Sequence, residues 1–237
     1  MESEFKKILL EETYRTGKSN GLRKRKYIVN HNCFEKIDNE EKAYWLGFLM
    51  ADGHIQKRDK GSWCLILGIK DLEHLEAFRK FLNSNHIIKK SPYTSCYILR
   101  VYSKKIVNDL ISWGFTENKS KRLIFPNIDK KLIPHFIRGF FDGDGCITYS
   151  IDKRNYFSIR PEAKFTSMSK NFLQKIKNII NRIGCKGLLR KQRNFFELRI
   201  RNKNGIDSLY RFIYNNSNVF LQRKFDKFNF VINYGAN

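Results

Sequence analysis

The residues best placed to do chemistry are two aspartates in closely similar surroundings. Asp52 ends the stretch Leu46-Gly47-Phe48-Leu49-Met50-Ala51-Asp52-Gly53, and Asp144 ends Arg138-Gly139-Phe140-Phe141-Asp142-Gly143-Asp144-Gly145. The register holds to Ile55 and Ile147, two positions past each final glycine. Each copy reads as the last turns of an apolar helix stopped by Asp-Gly. Carboxylates at two adjacent helix C-termini repel each other and face the negative ends of both dipoles. That arrangement costs stability, and a divalent metal ion held between the carboxylates is the simplest function that offsets it.

The elements around the motif have to bring the two aspartates together. Gly47/Ala51 and Gly139/Gly143 place small residues four apart, a flat stripe along which two helix backbones can approach closely. These residues are the expected helix interface. The first motif helix opens with Asp38 as N-cap and Glu40 and Glu41 in its first turn. Strands near 54–58 and 62–69, a helix capped by Asp71, strands near 86–91 and 95–102, and a helix capped by Ser103 follow. A second pass opens near Leu132–Pro134, with strands near 146–151 and 155–167 and a helix from Ser169 to Gly184. Strands near 186–192 and 194–201 and helices near 204–214 and 222–231 close it. The expected fold is therefore α+β: two pseudo-two-fold αββαββα repeats, each with a four-stranded antiparallel sheet, packed through the motif helices. The expected divisions are a basic extension at 1–36, a first repeat at 37–125, a linker at 126–131 and a second repeat at 132–237.

Charge indicates the partner. The 237 residues carry 46 Lys and Arg against 23 Asp and Glu, a formal net charge of +23, and the 20 Phe and 11 Tyr supply ample core material. A folded chain this basic is built for a polyanion, with nucleic acid the first expectation. The run Arg23-Lys24-Arg25-Lys26 adds a solvated, phosphate-contacting arm. The five cysteines are scattered and include no C-x-x-C pair, so neither a disulfide framework nor a zinc site is indicated. No apolar run reaches membrane-spanning length and MESEFKK is not a secretory signal, so a cytoplasmic or organellar-matrix location is expected, with no membrane partner.

Strand alternation supplies a candidate reading face. Ile147, Tyr149 and Ile151 alternate with Thr148, Ser150 and Asp152, and Phe196, Leu198 and Ile200 with Glu197, Arg199 and Arg201. The outward set is expected to be Gln56, Arg58, Lys89 and Arg100 in the first half, and Thr148, Ser150, Glu197, Arg199 and Arg201 in the second. Side chains of these types can read base edges in a major groove wide enough for a β-ribbon.

With both motifs and the repeated pattern in place, residues 38–231 resemble the LAGLIDADG homing endonucleases of the single-chain, two-repeat kind. The resemblance implies that Asp52 and Asp144 bind Mg²⁺ or Mn²⁺ at the scissile phosphates. It also implies a monomer whose two sheets saddle a long asymmetric duplex DNA site, cut across the minor groove to leave 3′ overhangs. By position in the family motif, Lys119 and Lys224 fall near the site as a pair and Lys70 at a further polar position, which the resemblance implies are catalytic, activating water or stabilising the phosphoryl charge; Met168, with Ser169 beside it, stands at the second-half counterpart of Lys70. Met50 departs from the pattern, since the second copy has Asp142 there. The alternative in the same fold is a non-cleaving binder, either a maturase holding intron RNA or a DNA-binding regulator. The chain starts with Met and lacks a terminal His-Asn pair, so it reads as a free-standing product rather than an intein.

Overall fold

Helix α1 (Glu40–Asp52) leads into β1 (His54–Lys57) and β2 (Trp63–Ile69), then α2 (Leu72–Phe81), β3 (Lys89–Lys90), β4 (Tyr97–Tyr102) and α3 (Lys104–Ser112). A 3₁₀ turn at Lys130–Leu132 opens a second course of α4 (Ile133–Asp144), β5 (Gly145–Asp152), β6 (Asn155–Ser167), α5 (Lys170–Asn181), β7 (Leu188–Lys191), β8 (Phe196–Ile200) and α6 (Lys203–Tyr214). Helix α7 (Gln222–Tyr234) follows. The structure is a computed structural model that describes residues 27–57, 62–116, 123–152 and 155–234, with the backbone alone at 152 and 155–158. Arg58 and Lys119 lie outside the described residues, as does the basic run at 23–26.

Both sheets are antiparallel with equivalent strand orders, β1-β2-β4-β3 and β5-β6-β8-β7. The α+β two-repeat expectation thus matches the architecture. Pro161 lies within β6 opposite Tyr149 of β5, and pairing with β8 begins only at Ala163. A proline is tolerated there because only one side of the strand carries a ladder.

The repeats meet at α1 and α4. Every residue from Ala43 to Ala51 is buried, as is every residue from Phe136 to Asp142, so each helix is enclosed on nearly all sides. A Cβ on Gly47 would stand 2.0 Å from the Phe136 carbonyl oxygen, and one on Gly139 would stand 1.9 Å from that of Tyr44. At the next turn a Cβ on Gly143 would lie 2.2 Å from the Ala51 methyl. The stripes read from the sequence therefore bring backbone against backbone. Aromatic contacts behind the helices carry this rigidity outward. Trp45 packs on Phe78 of α2 at 4.9 Å between ring centroids, Phe140 on Phe172 of α5 at 4.7 Å, and Phe141 on Phe165 of β6 at 5.1 Å. Each such buried ring contributes about 2–3 kcal/mol of transfer free energy.

Three local expectations change. Asn39, not Asp38, caps α1, accepting the Lys42 N–H at 3.0 Å, while the Asp38 carboxylate pairs with the Lys42 ammonium. Strand β3 is only two residues long, because His86 turns inward onto Ser84 Oγ at 2.7 Å and stacks on Tyr27. Gly53 and Gly145 stop their helices in extended backbone rather than left-handed. Glycine is required there by close approach: a Cβ would meet the Leu49 or Phe141 carbonyl oxygen at 2.6 and 2.4 Å.

Candidate active site and nucleic-acid interface

The ends of α1 and α4 lie side by side. Oδ2 of Asp52 stands 3.3 Å from where a Cβ on Gly143 would be, one residue from Asp144, and both aspartates are exposed. Both carboxylates also act electrostatically on a single group, the ammonium of Lys224. The small-residue stripe therefore does what its spacing predicts and brings the two acidic helix ends to one place.

Lys224 is not a surface phosphate contact. It is 7% exposed, and its Nζ donates to the carbonyls of Phe141 at 2.8 Å, Gly143 at 2.8 Å and Gly145 at 2.6 Å. The Phe141 carbonyl also accepts the Gly145 N–H, while those of Gly143 and Gly145 lie at and just past the end of α4, where no further intrahelical N–H follows. Burial pulls the ammonium down to about 8, against the upward pull of Asp142, Asp52 and Asp144, so it is charged at pH 7. The start of α7 is held in turn by the Leu221 N–H donating to Asp142 at 2.8 Å and by Arg223 bridging to Asp71 at the head of α2 at 3.0 Å. Lys70, adjacent to Asp71, is exposed. Its second-half counterpart, Met168, is half-buried and apolar, and the adjacent Ser169 is buried, caps α5 and donates to the Leu123 carbonyl at 3.0 Å.

The departure at Met50 has a structural reason. Met50 is fully buried in the apolar core, whereas Asp142 lies in a polar pocket. Its carboxylate accepts from Tyr214 at 2.6 Å, Tyr44 at 2.9 Å and the Leu221 N–H. Burial raises the Asp142 carboxyl and those hydrogen bonds oppose the rise. Because the Tyr44 hydroxyl donates to Asp142, the 2.9 Å contact to His74 Nε2 requires the ring N–H to donate to Tyr44. Burial holds His74 down at about 4, so the ring is neutral at pH 7. Asp142 therefore ties α1 and α6 to the start of α7. One turn earlier Arg138, fully buried, donates to Glu40 at 2.6 Å and to the Ile213 and Val219 carbonyls, and Glu40 also accepts from the Asn218 N–H. Sequence reading missed both clusters, because Tyr44, His74 and Glu40 carry no spacing signal toward their partners.

The sheets present the expected outward faces. Gln56, Lys89 and Arg100 are exposed in the first, Ser150 and Arg201 in the second, and Thr148 and Arg199 are half-buried; of the alternating apolar set Ile147 is buried, but Tyr149 and Ile151 are exposed, so the opposite face of β5 is covered only at its start. Glu197 is the exception. It is 5% exposed, lying beneath Arg199, Gln192 and Lys164. Burial raises its carboxyl, but hydrogen bonds from Arg199 and Gln192 leave it below the usual carboxylate range. Arg201 is likewise paired, with Glu162. Arg160, Glu162, Lys164 and Thr166 share this face, alternating with buried Pro161, Ala163 and Phe165. That alternation was readable in the sequence of β6 and identifies residues beyond those first singled out.

Among the described residues no group of three or more His, Cys, Asp or Glu gathers into a metal cage. Two exposed carboxylates are nonetheless a donor set that fits Mg²⁺ or Mn²⁺, which keep water ligands and complete their shells with substrate phosphate oxygens.

Residues 132–215 match the family model described as a LAGLIDADG-like domain. The fold is similar to that of the LAGLIDADG meganuclease I-AabMI bound to uncleaved DNA, with a TM-score of 0.58, 16% identity, and coverage of 83% of this chain and 91% of that one. It is equally similar to the I-LtrWI LAGLIDADG homing endonuclease bound to target DNA, with a TM-score of 0.58, 14% identity, and coverage of 82% and 91%. Among curated proteins, the chain is 28% identical over 174 residues to the reverse gyrase of Methanocaldococcus jannaschii, spanning 71% of this chain and 10% of that protein. It is 25% identical over 166 residues to the RNA polymerase subunit Rpo1C of the same organism, spanning 67% of this chain and 18% of that one. The chain thus spans less than a fifth of either curated relative.

Proposed function

From a LAGLIDADG-like second half and the two-repeat LAGLIDADG fold, we propose that this chain is a site-specific, divalent-metal-dependent DNA endonuclease. It cuts both strands of a long asymmetric duplex and leaves 3′ overhangs. The observation that carries the reading is the meeting of Asp52 and Asp144 at the junction of two sheets with basic, polar outer faces. The carboxylates come from different repeats, so each can serve one scissile phosphate of a duplex whose strands are related by an approximate two-fold.

In this reading Asp52 and Asp144 hold the metal, which when bound neutralises phosphoryl charge and lowers the pKa of attacking water. Lys224 secures the end of α4, fixing the direction in which Asp144 projects. Gln56, Arg100, Thr148, Ser150 and Arg199 contact base edges, while Lys89 and Arg201 face the backbone. The paired acids carry charge that a non-cleaving binder has no need to crowd together, and this favours the nuclease over the RNA-maturase alternative.

The test is cleavage of a duplex library containing the chain's own uninterrupted genomic locus, with Mg²⁺. Wild type is expected to cut one site on both strands, and Asp52→Asn and Asp144→Asn to bind that site without cutting. Absence of any cut by wild type, or full cleavage by either variant, would overturn the proposal.

A further inference from the structure

A carboxylate in the middle of a face meant for a polyanion works against binding, yet the second sheet places Glu197 there and covers it. Lys164 and Arg199 keep 31% and 21% of their side chains exposed, while only 7% of Glu197 is. Arg199 donates to Glu197 Oε2 through Nε at 2.8 Å and also through one terminal nitrogen. Gln192, at the tip of the β7–β8 hairpin, donates to the same oxygen at 2.7 Å, and Lys164 approaches the other oxygen at 3.8 Å. Arg190 faces Glu197 across the ladder. Of the five N–H donors on a guanidinium, this leaves three on Arg199 directed away from the carboxylate. Arg199 also borders a cleft of about 260 Å³ lined with Lys186, Arg190 and Arg201.

We propose that Glu197 is a specificity-determining positioning residue: it fixes Arg199 and Gln192 to read base edges and withholds them, with Lys164, from the phosphates. The proposal rests on the DNA-binding reading above. Direct readout needs a guanidinium presented as an oriented fork, since its strongest pairing is bidentate to guanine O6 and N7. A long side chain released from its carboxylate bends to the nearest phosphate instead, which binds every sequence alike. The buried charge therefore lowers affinity for all DNA and raises the difference between right and wrong DNA, and specificity is that difference. Among the described residues the first sheet has no equivalent: its outward positions opposite one another, Cys64 with Tyr102, Ile66 with Arg100 and Gly68 with Ile98, include no acid.

The experiment uses the full chain without divalent metal. Duplexes are selected from a randomised library by wild type, and Kd is then measured for the selected duplex and for a scrambled duplex of the same composition. Glu197→Gln is expected to bind the scrambled duplex several-fold tighter and to lose about tenfold or more of the selected-to-scrambled ratio, the scale of one bidentate contact. Arg199→Lys keeps the ion pair without the fork, and is expected to lose a similar share of the ratio without the gain on scrambled DNA. Adding Glu197→Gln to Arg199→Ala is expected to change the ratio little. A ratio unchanged in both single variants while wild type discriminates, or a fall that is equally large in the Arg199→Ala background, overturns the proposal alone. If wild type shows no preference for any duplex, the DNA reading itself fails.

Discussion

The hydroxyl of Tyr44 on α1 donates to the carboxylate of Asp142 on α4 at 2.9 Å, a fully buried hydrogen bond between the repeats. The same carboxylate takes the Tyr214 hydroxyl and the Leu221 N–H, so donors from α1, from α6 and from the residue before α7 converge on it. Asp142→Ala leaves all three buried without an acceptor, at about 1–3 kcal/mol each before relaxation. The expected loss is on the order of 3–5 kcal/mol in urea unfolding. Met50→Leu, at the corresponding position of the first repeat, is expected to cost under about 1.5 kcal/mol, because the site is apolar and the volume is kept. Equal losses at both positions would contradict the functional division between them.

Close approach of α1 and α4 is the second target. Gly139→Ala places a methyl where the Tyr44 carbonyl oxygen already stands, at 1.9 Å, and that oxygen belongs to a helix backbone that cannot swing aside. The expected cost is about 3 kcal/mol or more, with cleavage lost as the helix ends part. Gly184→Ala is the control, since its Cβ meets nothing within 4 Å and only its positive φ of +80° opposes the change. There about 1 kcal/mol is expected. Thermal unfolding of both variants checks the contrast.

These features divide according to what a single sequence can carry. The interface, the paired acids and the two sheets were legible because each repeats: Gly47 matches Gly139, Asp52 matches Asp144, and strand alternation recurs. Asp142 and Glu197 were misjudged or left open for a common reason. A carboxylate's surroundings depend on groups outside its own helix or strand, Tyr214 and the Leu221 N–H for one and Gln192 and Lys164 for the other. Periodicity placed Glu197 on the outer face correctly but could not show that its neighbours would close over it.

His74 gives the molecule an acid limb. Burial holds its ring at about 4 in the folded chain against 6.5 for an ordinary histidine, so between those values the unfolded chain binds the extra proton. Stability therefore rises with pH across that window and is lost as pH falls from about 6.5 toward 4, by on the order of 3 kcal/mol for this group. His74→Phe removes the titration, leaving Tyr44 able to donate to Asp142. Urea titrations at pH 4.5 and 7 are expected to show a smaller difference for the variant than for wild type. An unchanged difference would assign the acid limb to other groups.

Lys224 and the sheet cations should separate by salt dependence. A lysine facing phosphate releases a counterion on binding, so removing it lowers the slope of log K against log salt by about 1. Lys89 is exposed on the first sheet and faces the backbone in the proposed reading, so Lys89→Ala is expected to reduce the slope. Lys224 has its three protons directed to the carbonyls of Phe141, Gly143 and Gly145. Lys224→Met is therefore expected to leave the slope of binding as in wild type. The end of α4 loses its cation and the direction of Asp144 is no longer fixed, so kcat should fall while Kd for the target holds. Removing a positive charge beside two carboxylates also favours a divalent ion, so half-maximal activity should need no more Mg²⁺ than wild type. A reduced slope together with a weakened Kd would place Lys224 on phosphate instead.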